Sequence, residues 1–183
     1  VTAYTNGTAF VIGGTGTVPD LAKLASKVTV DALTIEDATV TGAEKDAFAG
    51  IGGGSEVKVS LPDGWQGELP DEDGKLYGMK VDRANFKYPL AVKNVTSRQR
   101  YPWNGLVDVS CDLTGDGTVT LGGTVLTNDV KFIANPTIIG ETTVDLDAAG
   151  GVTNGVKFIW NAAADLPAGF KAQNVKVKVT MEK

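Results

Sequence analysis

Phe10-Val11-Ile12, Leu33-Thr34-Ile35, Val57-Lys58-Val59 and Met79-Lys80-Val81 are four short apolar strand signals opening at positions 10, 33, 57 and 79, so that they follow one another at nearly even spacing. That interval falls inside the roughly 20–29-residue period at which leucine-rich solenoids repeat one strand per turn. A unit of this kind buries its apolar side only against its neighbours, so the spacing speaks of architecture before chemistry.

Between these strands the pattern changes to short helices. Pro19-Asp20-Leu21-Ala22-Lys23-Leu24-Ala25-Ser26 places Pro in a first turn and Leu21, Leu24 and Ala25 on one face. Glu44-Lys45-Asp46-Ala47-Phe48-Ala49 predicts a second helix, ended by Gly50-Ile51-Gly52-Gly53-Gly54. Val57, Val59 and Leu61 alternate with Lys58 and Ser60 until Pro62-Asp63-Gly64 stops the strand, and Trp65 to Gly78 reads as turns.

The pattern shifts near residue 90. An extended stretch through Tyr88-Pro89-Leu90-Ala91-Val92 leads to strands at Leu106–Leu113, Thr118–Leu126, Val130–Ala134, Thr142–Leu146, Gly155–Trp160 and Val175–Met181. Turn signals at Thr114-Gly115-Asp116-Gly117, Asn128-Asp129 and Ala149-Gly150-Gly151 separate them. Short strands without helices predict a β-sandwich. The last strand has Val175, Val177, Val179 and Met181 on one face and Lys176, Lys178, Thr180 and Glu182 on the other, so one side of its sheet meets water. The stretch Thr127-Asn128-Asp129-Val130-Lys131-Phe132-Ile133-Ala134-Asn135 is echoed by Thr153-Asn154-Gly155-Val156-Lys157-Phe158-Ile159-Trp160-Asn161, which reads as two similar turn-plus-strand units. The expected fold is therefore mainly β, with residues 1–90 a short leucine-rich-repeat-like solenoid and residues 91–183 an immunoglobulin- or fibronectin-like β-sandwich.

Two resemblances sharpen this expectation. Ala32-Leu33-Thr34-Ile35-Glu36-Asp37-Ala38-Thr39-Val40, Asp46-Ala47-Phe48-Ala49-Gly50 and Val57-Lys58-Val59-Ser60-Leu61-Pro62 resemble BspA-type leucine-rich repeats of bacterial surface proteins, a likeness confined to residues 1–80. Ala9-Phe10-Val11-Ile12-Gly13-Gly14-Thr15-Gly16-Thr17 is similar to the strand-and-glycine segment that opens such arrays, while the Gly-rich insert after Ile51 departs from them. Arg98-Gln99-Arg100-Tyr101-Pro102-Trp103-Asn104-Gly105-Leu106-Val107-Asp108 and Trp160-Asn161-Ala162-Ala163-Ala164-Asp165-Leu166-Pro167 resemble a small β accessory domain of secreted bacterial proteins that carry formylglycine-generating-enzyme-like modules. That resemblance implies a spacer or accessory role.

Composition narrows the function classes. The 183 residues are 42% hydrophobic and 21% charged, enough apolar surface for an ordinary core. The net charge is −5, and the densest basic group, Arg98-Gln99-Arg100, holds two charges, so nucleic acid is not an expected partner. No apolar run reaches the ~18–20 residues of a membrane span, and a start at Val rather than Met is what a processed chain or an excised piece would have. There is no histidine, which removes the commonest general base and metal ligand. Cys111 is the single cysteine, and strict alternation in Val107–Leu113 puts it on the apolar face as a buried, inert thiol. The chain is not read as an enzyme.

Several constellations remain. Asp71-Glu72-Asp73-Gly74 and Asp112-Leu113-Thr114-Gly115-Asp116-Gly117 gather carboxylates beside glycine as calcium loops do, but neither carries the twelve-residue pattern with its terminal Glu, so both read as solvated turns and no cofactor or metal is predicted. Gly13-Gly14-Thr15-Gly16 lacks the Lys-Ser/Thr of a phosphate loop. Asn6-Gly7-Thr8 and Asn94-Val95-Thr96 fit the N-glycosylation pattern and mark surface segments. Trp65, Tyr77, Tyr101 and Trp103, with Trp160, are candidate sugar-stacking aromatics; the competing reading is that each plugs a small β core. Tyr4, Phe10 and Ile12 lie in the Thr/Gly-rich residues 1–12, the segment expected to be docked or exchanged with another copy through a sheet edge.

These readings converge on a non-enzymatic extracellular or cell-surface structural or adhesion protein of bacterial type, self-assembling through strand edges into oligomers or filaments or binding surface and matrix components. The alternative is a carbohydrate-binding or spacer module of a larger secreted enzyme, with a glycan as partner.

Overall fold

The structure is a computed structural model that describes residues 2–18, 30–37, 40–41, 46–148 and 150–183. The chain divides into two compact units, Val1–Pro89 and Leu90–Lys183, and the fold is mainly β with several separate sheets.

In the first unit the strands are β1 (Thr2–Asn6), β2 (Ala9–Gly13), β3 (Gly16–Thr17), β4 (Ala32–Ile35), β5 (Val40–Thr41), β6 (Lys58–Ser60), β7 (Lys75–Leu76) and β8 (Met79–Lys80). One sheet has the order β1-β2-β4-β6. β1 and β2 form an antiparallel hairpin, and its turn is opened by Gly7 at φ 61°, a left-handed conformation that glycine adopts without steric cost. β2, β4 and β6 run parallel, with Phe10 beside Leu33 and Leu33 beside Val59. Val57 makes a parallel bridge to Val81, and β3 pairs parallel with β5, Gly16 beside Val40. The rungs at Phe10, Leu33 and Val59 follow one another at nearly equal intervals, so each parallel step takes one strand and one connection of similar length.

Alternation explains the core. Phe10 and Ile12 on β2 and Leu33 and Ile35 on β4 point inward and stack rung on rung with Val57 and Val59, and Met79, Val81 and Trp65 complete the apolar cluster.

The helix predicted over Pro19–Ser26 lies outside the described residues, as do Glu44 and Lys45 of the second. The described part of that second helix, Asp46–Ala49, forms turns in place of an α-helix, and the glycine run expected to end it holds a 3₁₀ turn at Ile51–Gly54. Gly50, Gly52 and Gly53 hold φ of 86°, 80° and 59°, outside helical backbone, and Phe48 N–H donates to Tyr77 O at 2.9 Å rather than to a helical carbonyl. The stretch from Trp65 to Gly78, read as turns, also contains one strand of the small β7–β8 hairpin.

The second unit contains β9 (Ala91–Gln99), β10 (Leu106–Thr114), β11 (Thr118–Thr127), β12 (Val130–Ile133), β13 (Ile138–Ile139), β14 (Thr143–Asp145), β15 (Val152–Asn161), the single-turn helix α1 (Ala162–Asp165) and β16 (Val175–Glu182). One antiparallel sheet has the order β13-β15-β10-β9. In the other, β11 pairs with β16 along Thr120–Thr127, while Thr118–Thr120 also face β14 and Val125–Thr127 also face β12. β12 and β14 therefore share the edge of β11 that β16 leaves free. The two sheets enclose one core: Val109, Cys111, Leu113, Phe158 and Trp160 from the first meet Val119, Leu121, Val125, Val177 and Val179 from the second. Leu146 fills the end near the Gly115–Gly117 turn.

Candidate functional site

The aromatic residues singled out in the sequence separate into buried and exposed sets. Trp65 is fully buried. Its N–H closes a turn onto Pro62 O, its Nε1–H donates to Glu68 O at 2.8 Å, and Gly67 lies so close that a Cβ there would stand 2.2 Å from the indole. Tyr77 is also buried: its ring edge meets Phe48 at 5.2 Å, and its hydroxyl accepts from Glu68 N–H at 3.1 Å. Neither presents a face to a sugar, which corrects their candidacy as ligand-binding residues; both plug the core of the first unit. Trp160 is buried as well and donates through Nε1 to Asp165 Oδ2 at 2.7 Å.

The assembly residues divide in the same way. Phe10 and Ile12 are buried inward rungs of their own sheet and are unavailable to a partner, because the alternation that marks them as a strand also turns them into the core. Tyr4 is 48% exposed on β1, and its hydroxyl donates to Glu36 Oε1 at 3.3 Å. Loss of water and then the Glu36 carboxylate push that phenol above its ordinary pKa.

Tyr101 and Trp103 are 86% and 70% exposed. They project from the β9–β10 loop, whose base is closed by Arg100 N–H donating to Leu106 O at 3.0 Å and by Leu106 N–H donating to Asn104 Oδ1 at 3.1 Å. The Tyr101–Pro102 peptide is cis. Gly105, at φ 74°, touches α1 so closely that a Cβ would meet that of Ala163 at 2.3 Å, and Ala163 N–H donates to Gly105 O. Only glycine fits there. Arg100 also forks onto Asp108, with Nε and Nη2 at 2.9 and 2.6 Å from Oδ1. That fork holds the Asp108 carboxyl below its ordinary pKa. The two rings stand 6.1 Å apart at 81°, one a platform and the other a wall.

Trp103 borders a shallow cleft of about 470 Å³ shared with Gln99, Asn104, Leu166, Pro167 and Phe170. Gln99, Ala162, Leu166 and Phe170 also line a neighbouring cleft of about 430 Å³, where the core opens to water past Val107, Val125, Trp160 and Val177. Phe132 and Phe170 form a stacked pair at 5.2 Å and 18° on its rim, each partly exposed. Lys171 is the one charged residue in this lining. One end of the second unit thus carries a continuous aromatic surface through Trp103, Phe170 and Phe132. Phe132 and Phe170 stand outside the candidates that the sequence suggests; the odd signal there is that Val130 and Phe132 give β12 an exposed apolar side, covered in part where Phe132 stacks on Phe170.

Other candidates are structural. Asp71 Oδ1 accepts from Lys75 N–H, and the Asp71 and Glu72 carbonyls accept from Arg83, so this acidic loop is a self-bonded turn. Asp112 accepts from Asn94 Nδ2 at 2.7 Å and from Gly155 N–H at 2.8 Å, which lowers its pKa. Among the described residues no group of three His, Cys, Asp or Glu side chains is placed to hold a metal. Cys111 is buried, and burial followed by the Asp112 charge pushes its thiol up to about 11. No described helix is long and apolar enough to cross a membrane.

Comparison of the chain with protein-family models, curated proteins and solved structures returned no match.

Proposed function

We propose that this chain is a non-enzymatic adhesion or structural module of an extracellular or cell-surface protein, in which the second unit makes contact and the first serves as scaffold. The observation that carries the reading is the exposed aromatic surface at one end of the second unit, held out by a loop that Gly105 and Arg100 pin at its base. Exposed contiguous aromatics of this kind mark contact sites, because leaving them in water is unfavourable unless a partner covers them. Parallel ladders that step from Phe10 to Leu33 to Val59, and from Gly16 to Val40, support a short solenoid of the type resembled by BspA-like repeats, and two sheets around one core support a β-sandwich.

A second reading, a carbohydrate-binding or spacer module of a larger secreted enzyme, is favoured by one specific arrangement. Gln99 and Asn104 lie in the same cleft as Trp103, which sets amide groups beside an aromatic platform, the combination that hydroxyls and C–H faces of a sugar ring use together. The test is binding of the full chain to a panel of polysaccharides and matrix proteins, compared with Trp103→Ala and Tyr101→Ala. Both substitutions are at exposed positions and leave the thermal transition in place. Loss of protein binding in Trp103→Ala supports adhesion, and loss of polysaccharide binding supports the second reading. Retention of every interaction by both variants refutes the aromatic surface as the contact.

A further inference from the structure

We infer that β1 is a self-pairing edge, through which two copies of this chain join their four-stranded sheets about a two-fold axis centred on Tyr4. The inference concerns the first unit alone and stands independently of the aromatic surface in the second.

All five residues of β1 are exposed, and among the described residues β1 has a strand partner on one side only, β2. An edge strand of this kind carries a row of backbone donors and acceptors ready to pair, and natural proteins blunt such edges with charges, proline or bulges. β1 has none of these. Its register with β2 is unbroken from Thr2 to Asn6, and no charged side chain stands between Val1 and Pro19. β1 thus brings no charge of its own to the pairing; the carboxylate nearest the axis is Glu36, bonded by the Tyr4 hydroxyl at 3.3 Å, and its repulsion from its copy, like that of the acidic first unit as a whole, is screened by salt.

The sequence of β1 is also compatible with its own reverse. Antiparallel pairing with all five residues overlapped sets Thr2 against Asn6 of the other copy, Ala3 against Thr5 and Tyr4 against Tyr4. Hydroxyl faces amide, a small side chain faces a β-branched one, and two aromatic rings meet at the axis, pairs that favour a strand interface. Isologous contact of this form closes at two copies rather than growing into a filament.

The register makes the proposal testable by disulfide trapping. Residues directly opposite each other in an antiparallel pair have Cα atoms about 4.5–5.5 Å apart, within the range a disulfide spans. Tyr4→Cys thus places two thiols in bonding range. Thr2→Cys places them four residue steps apart, about 14 Å, yet Thr2→Cys mixed with Asn6→Cys restores range. Cys111 is buried and does not compete.

The experiment combines sedimentation velocity of the full chain over a concentration series with mild oxidation of these variants. Expected are a reversible dimer, its association weakened at least tenfold by Ala3→Lys, a covalent dimer from Tyr4→Cys and from the Thr2→Cys/Asn6→Cys mixture, and none from Thr2→Cys alone. Ala3 is exposed, and an unchanged circular dichroism spectrum separates loss of pairing from loss of fold. A wild-type chain that stays monomeric throughout, a Thr2→Cys dimer forming as fast as that of Tyr4→Cys, or association lost in Trp103→Ala but kept in Ala3→Lys each overturns the proposal.

Discussion

Asp165 gathers three donors: Trp160 Nε1–H at 2.7 Å, Thr137 N–H at 2.8 Å and Thr137 Oγ1–H at 2.5 Å. These tie α1, β15 and the approach to β13 into one corner beside the aromatic clefts. Replacing Asp165 by Ala leaves the indole N–H of the buried Trp160 without an acceptor, which costs about 1–3 kcal/mol. The Thr137 groups sit at an exposed position, so water takes up most of their loss, and their share is discounted to about 0.5 kcal/mol. The expected destabilisation of the second unit is about 1.5–3.5 kcal/mol. Asp165→Asn keeps an amide oxygen for the two N–H donors, and the Thr137 hydroxyl can turn to accept from the new amide nitrogen, so that variant loses chiefly charge assistance, about 1 kcal/mol. Burial raises the Asp165 pKa while the hydrogen bonds from Thr137 and Trp160 lower it, and the net direction is down. A folded-state pKa below the unfolded one gives stability that is present above the unfolded value, about 3.9, and lost as pH falls through the folded value. Urea unfolding followed by near-ultraviolet circular dichroism, at neutral pH and in acid, measures both effects. A shift under about 0.5 kcal/mol in Asp165→Ala, equal losses in the two variants, or an acid loss that persists unchanged in Asp165→Asn refutes the reasoning.

Trp65→Ala should destabilise the first unit by about 3–5 kcal/mol, as removal of a fully buried aromatic does, leaving binding through Trp103 intact; equal loss of both would show that Trp65 serves the surface. Gly67→Ala should also destabilise that unit, since its Cβ would overlap the Trp65 ring, and a thermal melt identical to wild type contradicts the packing. Cys111, buried and with its pKa raised to about 11, should react with a thiol reagent at mildly alkaline pH only as fast as the second unit opens, whereas immediate labelling of the native chain would place it at the surface. Arg100→Ala should leave stability nearly unchanged because its fork onto Asp108 is solvent-exposed, and should weaken binding through the Tyr101–Trp103 loop; a large loss of stability argues against that separation.

The β character of the chain is legible because inward apolar residues alternate along most strands, and three of the four spaced signals pair in parallel, with Phe10 beside Leu33 and Leu33 beside Val59, whereas Met79-Lys80 turns back onto Lys75-Leu76 in an antiparallel hairpin. Two features hide. Ala47-Phe48-Ala49 after an acidic-basic pair imitates a helix, but the glycines that follow take left-handed backbone, and Phe48 is held by Tyr77, far ahead in sequence. β9 reads only as extended chain because Asn94 to Gln99 are exposed, so no alternation of apolar and polar residues marks them.

The site is harder to read than the fold, and the echo between β12 and β15 explains why. Lys131-Phe132-Ile133 and Lys157-Phe158-Ile159 are the same tripeptide in strand, yet Phe132 is 47% exposed and Phe158 4%. Local pattern cannot distinguish them. β15 is flanked by β10 and β13 and its Phe158 packs in the core with residues of the opposite sheet, whereas β12 hangs on the end of β11 with its other edge unpaired among the described residues. The same holds for the tryptophans: Trp65 and Trp103 both sit in Gly/Pro loops, but Gly67 lets its loop fold over one indole while Gly105 docks the other loop onto α1 and leaves its indole in water. Exposure of an aromatic in this chain is thus decided by sheet position and by which glycine its loop closes upon. Both are tertiary facts, and together they move the candidate contact surface from the four aromatics named by sequence to Tyr101, Trp103, Phe132 and Phe170.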